Sequence, residues 1–230
     1  MKKLHIDSIT KSYANKRILS GVFLSCEKGK TIGLLGRNGS GKSTLLKIVF
    51  GIEKCEYKFV KIGNKVINSV SDGRNLLNYL PQENFLPNNV KIKKLIRLFL
   101  DKKERIYLYK NEHIKPLLNK TNHDLSGGEK RIVEILLIVH SSAPFILLDE
   151  PFNGLSPITR SYIINYLKKM KSLKGYIITD HDYKNVIALA DDIVFLKDGY
   201  LKPIKTSNEL IDLGYLTKDA LNLINKKPNS

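Results

Sequence analysis

Apolar residues in this chain follow distinct rhythms. Short unbroken runs at Thr31-Ile32-Gly33-Leu34-Leu35, Phe145-Ile146-Leu147-Leu148, Tyr176-Ile177-Ile178-Thr179 and Ile193-Val194-Phe195-Leu196 are bounded by turn residues. They predict strands buried on both faces. Leu4-His5-Ile6 alternates like a strand, and residues 57–67 read as a hairpin, with Tyr57, Phe59 and Lys61 alternating against Lys58, Val60 and Ile62 before a Gly63-Asn64 turn. From about Asn88 to Asn119 the rhythm becomes helical, with apolar positions at Ile92, Leu95, Ile96, Phe99 and Leu100. Thr44–Phe50 reads as a helix stopped by Gly51, and Thr206 with Glu209 as a capping box opening a small terminal helix. Strands alternating with helices predict an α/β fold with a mainly parallel sheet covered on both faces.

A chain of 230 residues suits one α/β core or two closely packed lobes. No apolar run approaches the ~18–20 residues of a membrane-spanning helix, and Met1–Asp7 lacks the apolar segment of a secretory leader. Cys26 and Cys55 have no metal-binding spacing and read as reduced thiols. The net charge of +17 favours anionic neighbours, but the lysines are scattered and not interleaved with aromatics for base stacking. General compositional bias and closeness to an anionic membrane surface both account for the charge.

The first chemical motif follows the Thr31–Leu35 strand. Gly36-Arg37-Asn38-Gly39-Ser40-Gly41-Lys42-Ser43, with Thr44 opening the next helix, has the spacing of a triphosphate-binding P-loop. Glycines let backbone N–H groups approach phosphate oxygens, and the following helix directs its positive end at the same anion. Lys42 supplies a point charge for the β- and γ-phosphates, and the Ser43 hydroxyl is a hard oxygen suited to Mg²⁺. Asp149-Glu150 ends the Phe145 strand, placing adjacent carboxylates at the sheet edge where ligands of open α/β folds bind. Ser126-Gly127-Gly128 opens an apolar helix, either as a plain cap or as a second anion site.

With the P-loop, Leu125-Ser126-Gly127-Gly128-Glu129 resembles the signature of the ATP-binding cassette (ABC) ATPases, and the likeness extends along nearly the whole chain. It implies a P-loop NTPase core with a mainly parallel sheet, an antiparallel β subdomain and an inserted α-helical lobe. The implied bounds are about 1–82 and 126–205 for the core, 83–125 for the lobe and 206–230 for a short helical tail. By this resemblance Asp149 serves Mg²⁺, Glu150 orients or deprotonates the attacking water, and His181 contacts the γ-phosphate and positions that water. Gln82 matches the glutamine that reaches the metal and water and joins the lobes, and Tyr13 the aromatic stacked on adenine. Ser126, Gly127 and Gly128 would close on ATP bound by a second copy, giving a head-to-tail dimer around two ATP molecules.

Two positions depart from the family pattern: Ser156 stands for the usual aspartate after the carboxylate pair, and Leu136-Leu137-Ile138 for a run of small residues. The stretches Val133-Glu134-Ile135, Asn153–Pro157 and Ile178–His181 resemble ATPase subunits of lipopolysaccharide export and branched-chain amino-acid import. The resemblance implies an ATP-hydrolysing transporter subunit, cytoplasmic and peripheral on the inner face of the membrane. It would dock on a separate transmembrane permease through the region from Gln82 to Pro87. No specific nucleic acid is expected as a partner. The alternatives are a non-transport ABC ATPase acting on nucleic acid or the ribosome, and an ATP-binding module without turnover.

Overall fold

The computed structural model describes residues 2–217 and 219, and the rest of the expected 206–230 tail lies outside the described residues. In chain order the strands are β1 (Lys3–Tyr13), β2 (Lys16–Glu27), β3 (Thr31–Leu35), β4 (Tyr57–Ile62), β5 (Lys65–Val66), β6 (Leu77–Leu80), β7 (Phe145–Asp149), β8 (Gly175–Thr179), β9 (Asp192–Lys197) and β10 (Tyr200–Ile204). The α-helices are α1 (Lys42–Phe50), α2 (Ile92–Phe99), α3 (Lys102–Lys110), α4 (Gly127–Val139), α5 (Pro157–Met170), α6 (Tyr183–Leu189) and α7 (Asn208–Asp212).

Two sheets form. One is antiparallel in the order β2-β1-β4-β5, and the other runs β10-β9-β3-β8-β7-β6. In the second sheet every pairing from β9 to β6 is parallel, and β10 closes the edge antiparallel to β9. The unbroken apolar runs of β3, β7 and β8 follow from burial on both faces. Phe145, Leu147, Ile177, Val194 and Leu196 pack with α1 and the antiparallel sheet. Their alternates Ile146, Leu148, Tyr176, Ile178 and Phe195 pack with α4, α5 and α6. The residues between β6 and β7 carry α2, α3 and α4, whose apolar faces join this second cluster.

The structure gives the Leu136-Leu137-Ile138 departure a physical reason. From Arg131 to Val139 every residue of α4 is buried, so its flanks fill space between the sheet and the helices around it. α1 stops as expected at Gly51, which has φ 95°. A Cβ there would lie 2.9 Å from the Ser69 carbonyl carbon, so only glycine fits.

Two features differ from the sequence expectations. The strands β6 and β10 had no clear signal, since Asn78 interrupts one and Pro203 the other; Pro203 is tolerated because β10 is an edge strand. The Thr206–Glu209 capping box is only half formed. Glu209 Oε1 accepts from the N–H groups of Lys205 and Thr206, but α7 starts after Ser207 and no side chain caps it. Among the described residues no helix is long and apolar enough to cross a membrane.

Candidate active site

Neighbouring parallel strands deliver their carboxyl ends to one edge of the sheet, and β3, β8, β7 and β6 are consecutive neighbours there. The loops leaving them carry, in that order, the P-loop, His181, Asp149-Glu150 and Gln82. Ten of the residues singled out in the sequence line one cleft: Tyr13, Asn38, Gly39, Gly41, Lys42, Ser43, Thr44, Gln82, Glu150 and His181. Gly36 and Asp149 join it through bonds to Lys42 and Ser43.

The P-loop folds back over its own lysine. The buried Lys42 Nζ donates to the carbonyls of Gly36 at 2.8 Å and Arg37 at 3.1 Å. Burial lowers the pKa of this ammonium, and the nearby Glu150 and Asp149 oppose that shift. Gly41 leads into α1 with φ 106°, and a Cβ there would stand 2.7 Å from Ile18 Cγ2. The Arg37 side chain turns away and donates to the Gly214 carbonyl at 3.0 Å. With Ser40 it lines an adjoining basic cavity, not the cleft itself.

Asp149 is fully buried at the end of β7. Its Oδ1 accepts from Ser43 Oγ at 2.9 Å and its Oδ2 from Tyr79 Oη at 2.8 Å. Burial pushes its pKa up, and these two hydrogen bonds pull it back. Tyr79 had no signal in the sequence, because its hydroxyl reaches Asp149 only through the pairing of β6 with β7. Ser43 and Asp149 offer the hard oxygens that Mg²⁺ prefers. Among the described residues no group of three or more His, Cys, Asp or Glu is arranged to hold a metal. A divalent ion here therefore needs further oxygens from a bound phosphate and water. The residues fit a metal–triphosphate pair and do not fit a free-standing metal site.

Glu150 is buried in the left-handed region with φ 49°, a strained conformation for a side chain other than glycine. Its Oε1 lies 3.1 Å from His181 Nδ1, while its Oε2 is buried without a hydrogen-bond partner. An unpartnered carboxylate oxygen beside a polar cleft is free to accept a hydrogen bond. Tyr13 is half exposed, and Lys11 Nζ lies over one face of its ring, 4.4 Å from the centroid.

Ser126, Gly127 and Gly128 do not line this cleft. Ser126 caps α4: its Oγ accepts from the Glu129 N–H at 3.2 Å, and its own N–H donates to Glu129 Oε2 at 2.8 Å. Gly127 has nothing within 4 Å of a built Cβ. Ser156, in place of the usual aspartate, caps α5 by accepting from the Thr159 N–H at 3.2 Å, a role that both residue types fill.

Sequence reading also missed Arg131 and Glu134, a buried ion pair beneath the carboxylates. In the sequence nothing sets these two charges apart from the neighbouring Glu129 and Lys130 of the same helix.

Comparison with known proteins agrees with this geometry. A family model described as ABC transporter matches residues 19–153. The lipopolysaccharide export system ATP-binding protein LptB of Escherichia coli (strain K12) is 29% identical over 225 residues, covering 92% of this chain and 93% of that protein. An uncharacterized ABC transporter ATP-binding protein of Rhizobium meliloti (strain 1021) is 28% identical over 216 residues, covering 88% and 80%. A solved ATP binding subunit of an ABC transporter superposes with a TM-score of 0.81 at 21% identity, covering 96% of this chain and 97% of that one.

Proposed function

This chain belongs to the ABC transporter family as an ATP-binding, ATP-hydrolysing subunit, and we propose that it energises transport through a separate transmembrane permease by closing head-to-tail on a second copy. The observation that carries this reading is the split between two phosphate-binding elements. The P-loop, Asp149, Glu150 and His181 surround one cleft, while the capped Ser126 end of α4 stands outside it. Ser126 and Glu129 bond to each other in the capping box, and the open space at the exposed Gly127 beside them leaves room for an anion such as the γ-phosphate held by a second copy.

In this reading the Gly36–Thr44 loop and Lys42 hold the triphosphate, and Tyr13 stacks on the adenine. Ser43, Asp149 and Gln82 would hold Mg²⁺, which would neutralise negative charge on the phosphates. Water attacks the γ-phosphorus, the bond to the β–γ bridging oxygen breaks, and the water's proton passes to Glu150. The free Oε2 of Glu150 supports its role as acceptor, and the 3.1 Å approach of His181 supports a role for the imidazole in orienting the carboxylate and water.

We divide the chain into a core of about 1–82 and 126–205, a helical lobe of 83–125 and a tail from 206. The lobe residues Leu86, Leu95 and Leu108 share one apolar cluster with core residues such as Ile146 and Phe152, so lobe and core pack closely. Permease docking near Gln82–Pro87 is favoured by the exposed Leu98 and Phe99 of α2, with Phe99 beside Phe85. The charge of +17 suits a peripheral position on the anionic inner face of a membrane, with no specific nucleic acid bound.

Lys42→Ala tests the core of the proposal. Equilibrium titration should show ATP affinity weakened by about tenfold or more, with turnover abolished, because the main cation facing the triphosphate is gone. Wild-type binding and hydrolysis in a folded variant would reject the site.

A further inference from the structure

Charged residues inside an apolar helix must have partners, because burial works against both charges. Arg131 is 3% exposed and Glu134 not exposed at all, one turn apart on α4. Burial lowers the pKa of the guanidinium and raises that of the carboxylate, and each charge opposes the shift of the other.

The guanidinium reaches well beyond its ion pair. Nη2 donates to the carbonyls of Asp149 and Glu150, both at 2.9 Å, and Nε to that of Pro151 at 3.1 Å. Nη1 donates to the Pro81 carbonyl at 2.7 Å and approaches Glu134 Oε2 at 3.4 Å. The other Glu134 oxygen accepts from the Phe85 N–H at 2.9 Å.

Successive carbonyls of an extended strand point to opposite sides. Those of Asp149, Glu150 and Pro151 converge on one cation because Glu150 leaves the extended region, at φ 49°. Arg131 therefore bonds to the strained turn that presents the Glu150 carboxylate to the cleft. The bond to Pro81 fixes the carbonyl of the peptide whose nitrogen belongs to Gln82, and Glu134 fixes Phe85 beyond it. Gln82 is thus bracketed by two pinned points.

We infer that Arg131, held by Glu134, is a positioning residue that sets Glu150 and Gln82 in register from beneath the active site. The inference rests on the ATPase reading above. Neither residue lines the cleft, so each acts through the backbone. Lysine cannot replace the arginine, because a single ammonium with three donors cannot span Pro81 and the 149–151 turn together.

The test measures hydrolysis per bound ATP in Arg131→Lys and Glu134→Gln, with wild type and Glu150→Gln alongside. Arg131→Lys should lose about tenfold or more in kcat, since misplacing a reacting group by an ångström costs up to about a hundredfold. KM and ATP affinity should stay within about twofold, because the P-loop is untouched. Glu134→Gln keeps an acceptor for Phe85 but leaves the guanidinium unpaired, and should lose a smaller part of kcat with the same split. Arg131→Lys added to Glu150→Gln should cost less than it does in wild type, since part of its effect runs through Glu150.

A purely structural pair would lower melting temperature and the number of ATP sites together, with kcat per site unchanged. That result, or additive losses in the double variant, would overturn the inference. If Arg131→Lys does not fold, Glu134→Gln decides: kcat per site within about twofold of wild type contradicts the proposal. Wild-type hydrolysis by Glu150→Gln would instead reject the active-site reading, whatever Arg131 does.

Discussion

Removing one oxygen from Tyr79 probes the carboxylate beneath the P-loop. In Tyr79→Phe the ring keeps its place against Phe50, 5.5 Å away between centroids, so no cavity opens and the loss is polar. The Tyr79 hydroxyl donates to Asp149 Oδ2 at 2.8 Å, and Asp149 is fully buried, so the variant leaves a carboxylate oxygen without this partner. A hydrogen bond to a buried charged group contributes about 1.5–3 kcal/mol. For a chain of this size, about 2 kcal/mol corresponds to a fall in Tm of roughly 4–8 °C.

The pH dependence has a definite sign. Burial raises the folded pKa of Asp149 above its ordinary 3.8, so the penalty for its buried charge is felt at neutral pH and lifts as pH falls through the folded pKa. Tyr79 offsets that penalty only while Asp149 is ionised; the phenol stays protonated because burial, followed by the charge of Asp149, pushes its own pKa up. The stability gap between wild type and variant should therefore be widest near neutral pH and narrow in acid. Thermal melts of both proteins without nucleotide or metal, from about pH 8 downward, measure this directly. A fall in Tm below about 1 °C, or a gap constant across that range, would refute the reasoning.

Two further outcomes follow from buried groups away from the cleft. Lys174 donates to the carbonyls of Ser141 and Ala143, and burial lowers its pKa from 10.5 to about 8, so between those values the folded state binds fewer protons than the unfolded. Its contribution to stability should rise with pH across that window by up to about 3 kcal/mol, and urea melts of Lys174→Met should lack that rise. Burial pushes the Cys26 thiol up to about 12, whereas Cys55 is only half-buried. A thiol reagent at neutral pH should modify Cys55 alone in the native chain, and both cysteines after denaturation.

What was legible in the sequence depended on how far apart in the chain the interacting groups lie. Lys42 and Ser43 were readable because strand, glycine loop and helix are contiguous, and Asp149-Glu150 because a buried strand must end at a sheet edge. Gln82 and His181 could be assigned only by resemblance, since their place in the cleft depends on the order β3-β8-β7-β6. Tyr79 and Arg131 were not legible at all. Tyr79 meets Asp149 across a parallel pairing, and Arg131 meets residues 81 and 149–151 across two crossovers. The Leu136-Leu137-Ile138 run was an unexplained departure until the burial of α4 on all sides accounted for it. Half of the Thr206–Glu209 box is missing because the Glu209 N–H donates to the Thr206 backbone carbonyl in place of its side chain.

In the proposed closed dimer, one copy's Glu150 would act on ATP that the other copy's Ser126 helps to hold. The most direct measurement is the light-scattering mass of Glu150→Gln with and without ATP, alone and combined with Ser126→Arg. The amide cannot take the water's proton, while Lys42, Ser43 and Asp149 still hold the nucleotide. Glu150→Gln should show almost no hydrolysis, a monomer without ATP, a dimer with ATP, and a return to monomer when Ser126→Arg is added. Undiminished hydrolysis in Glu150→Gln, or a mass indifferent to both ATP and Ser126→Arg, would contradict it.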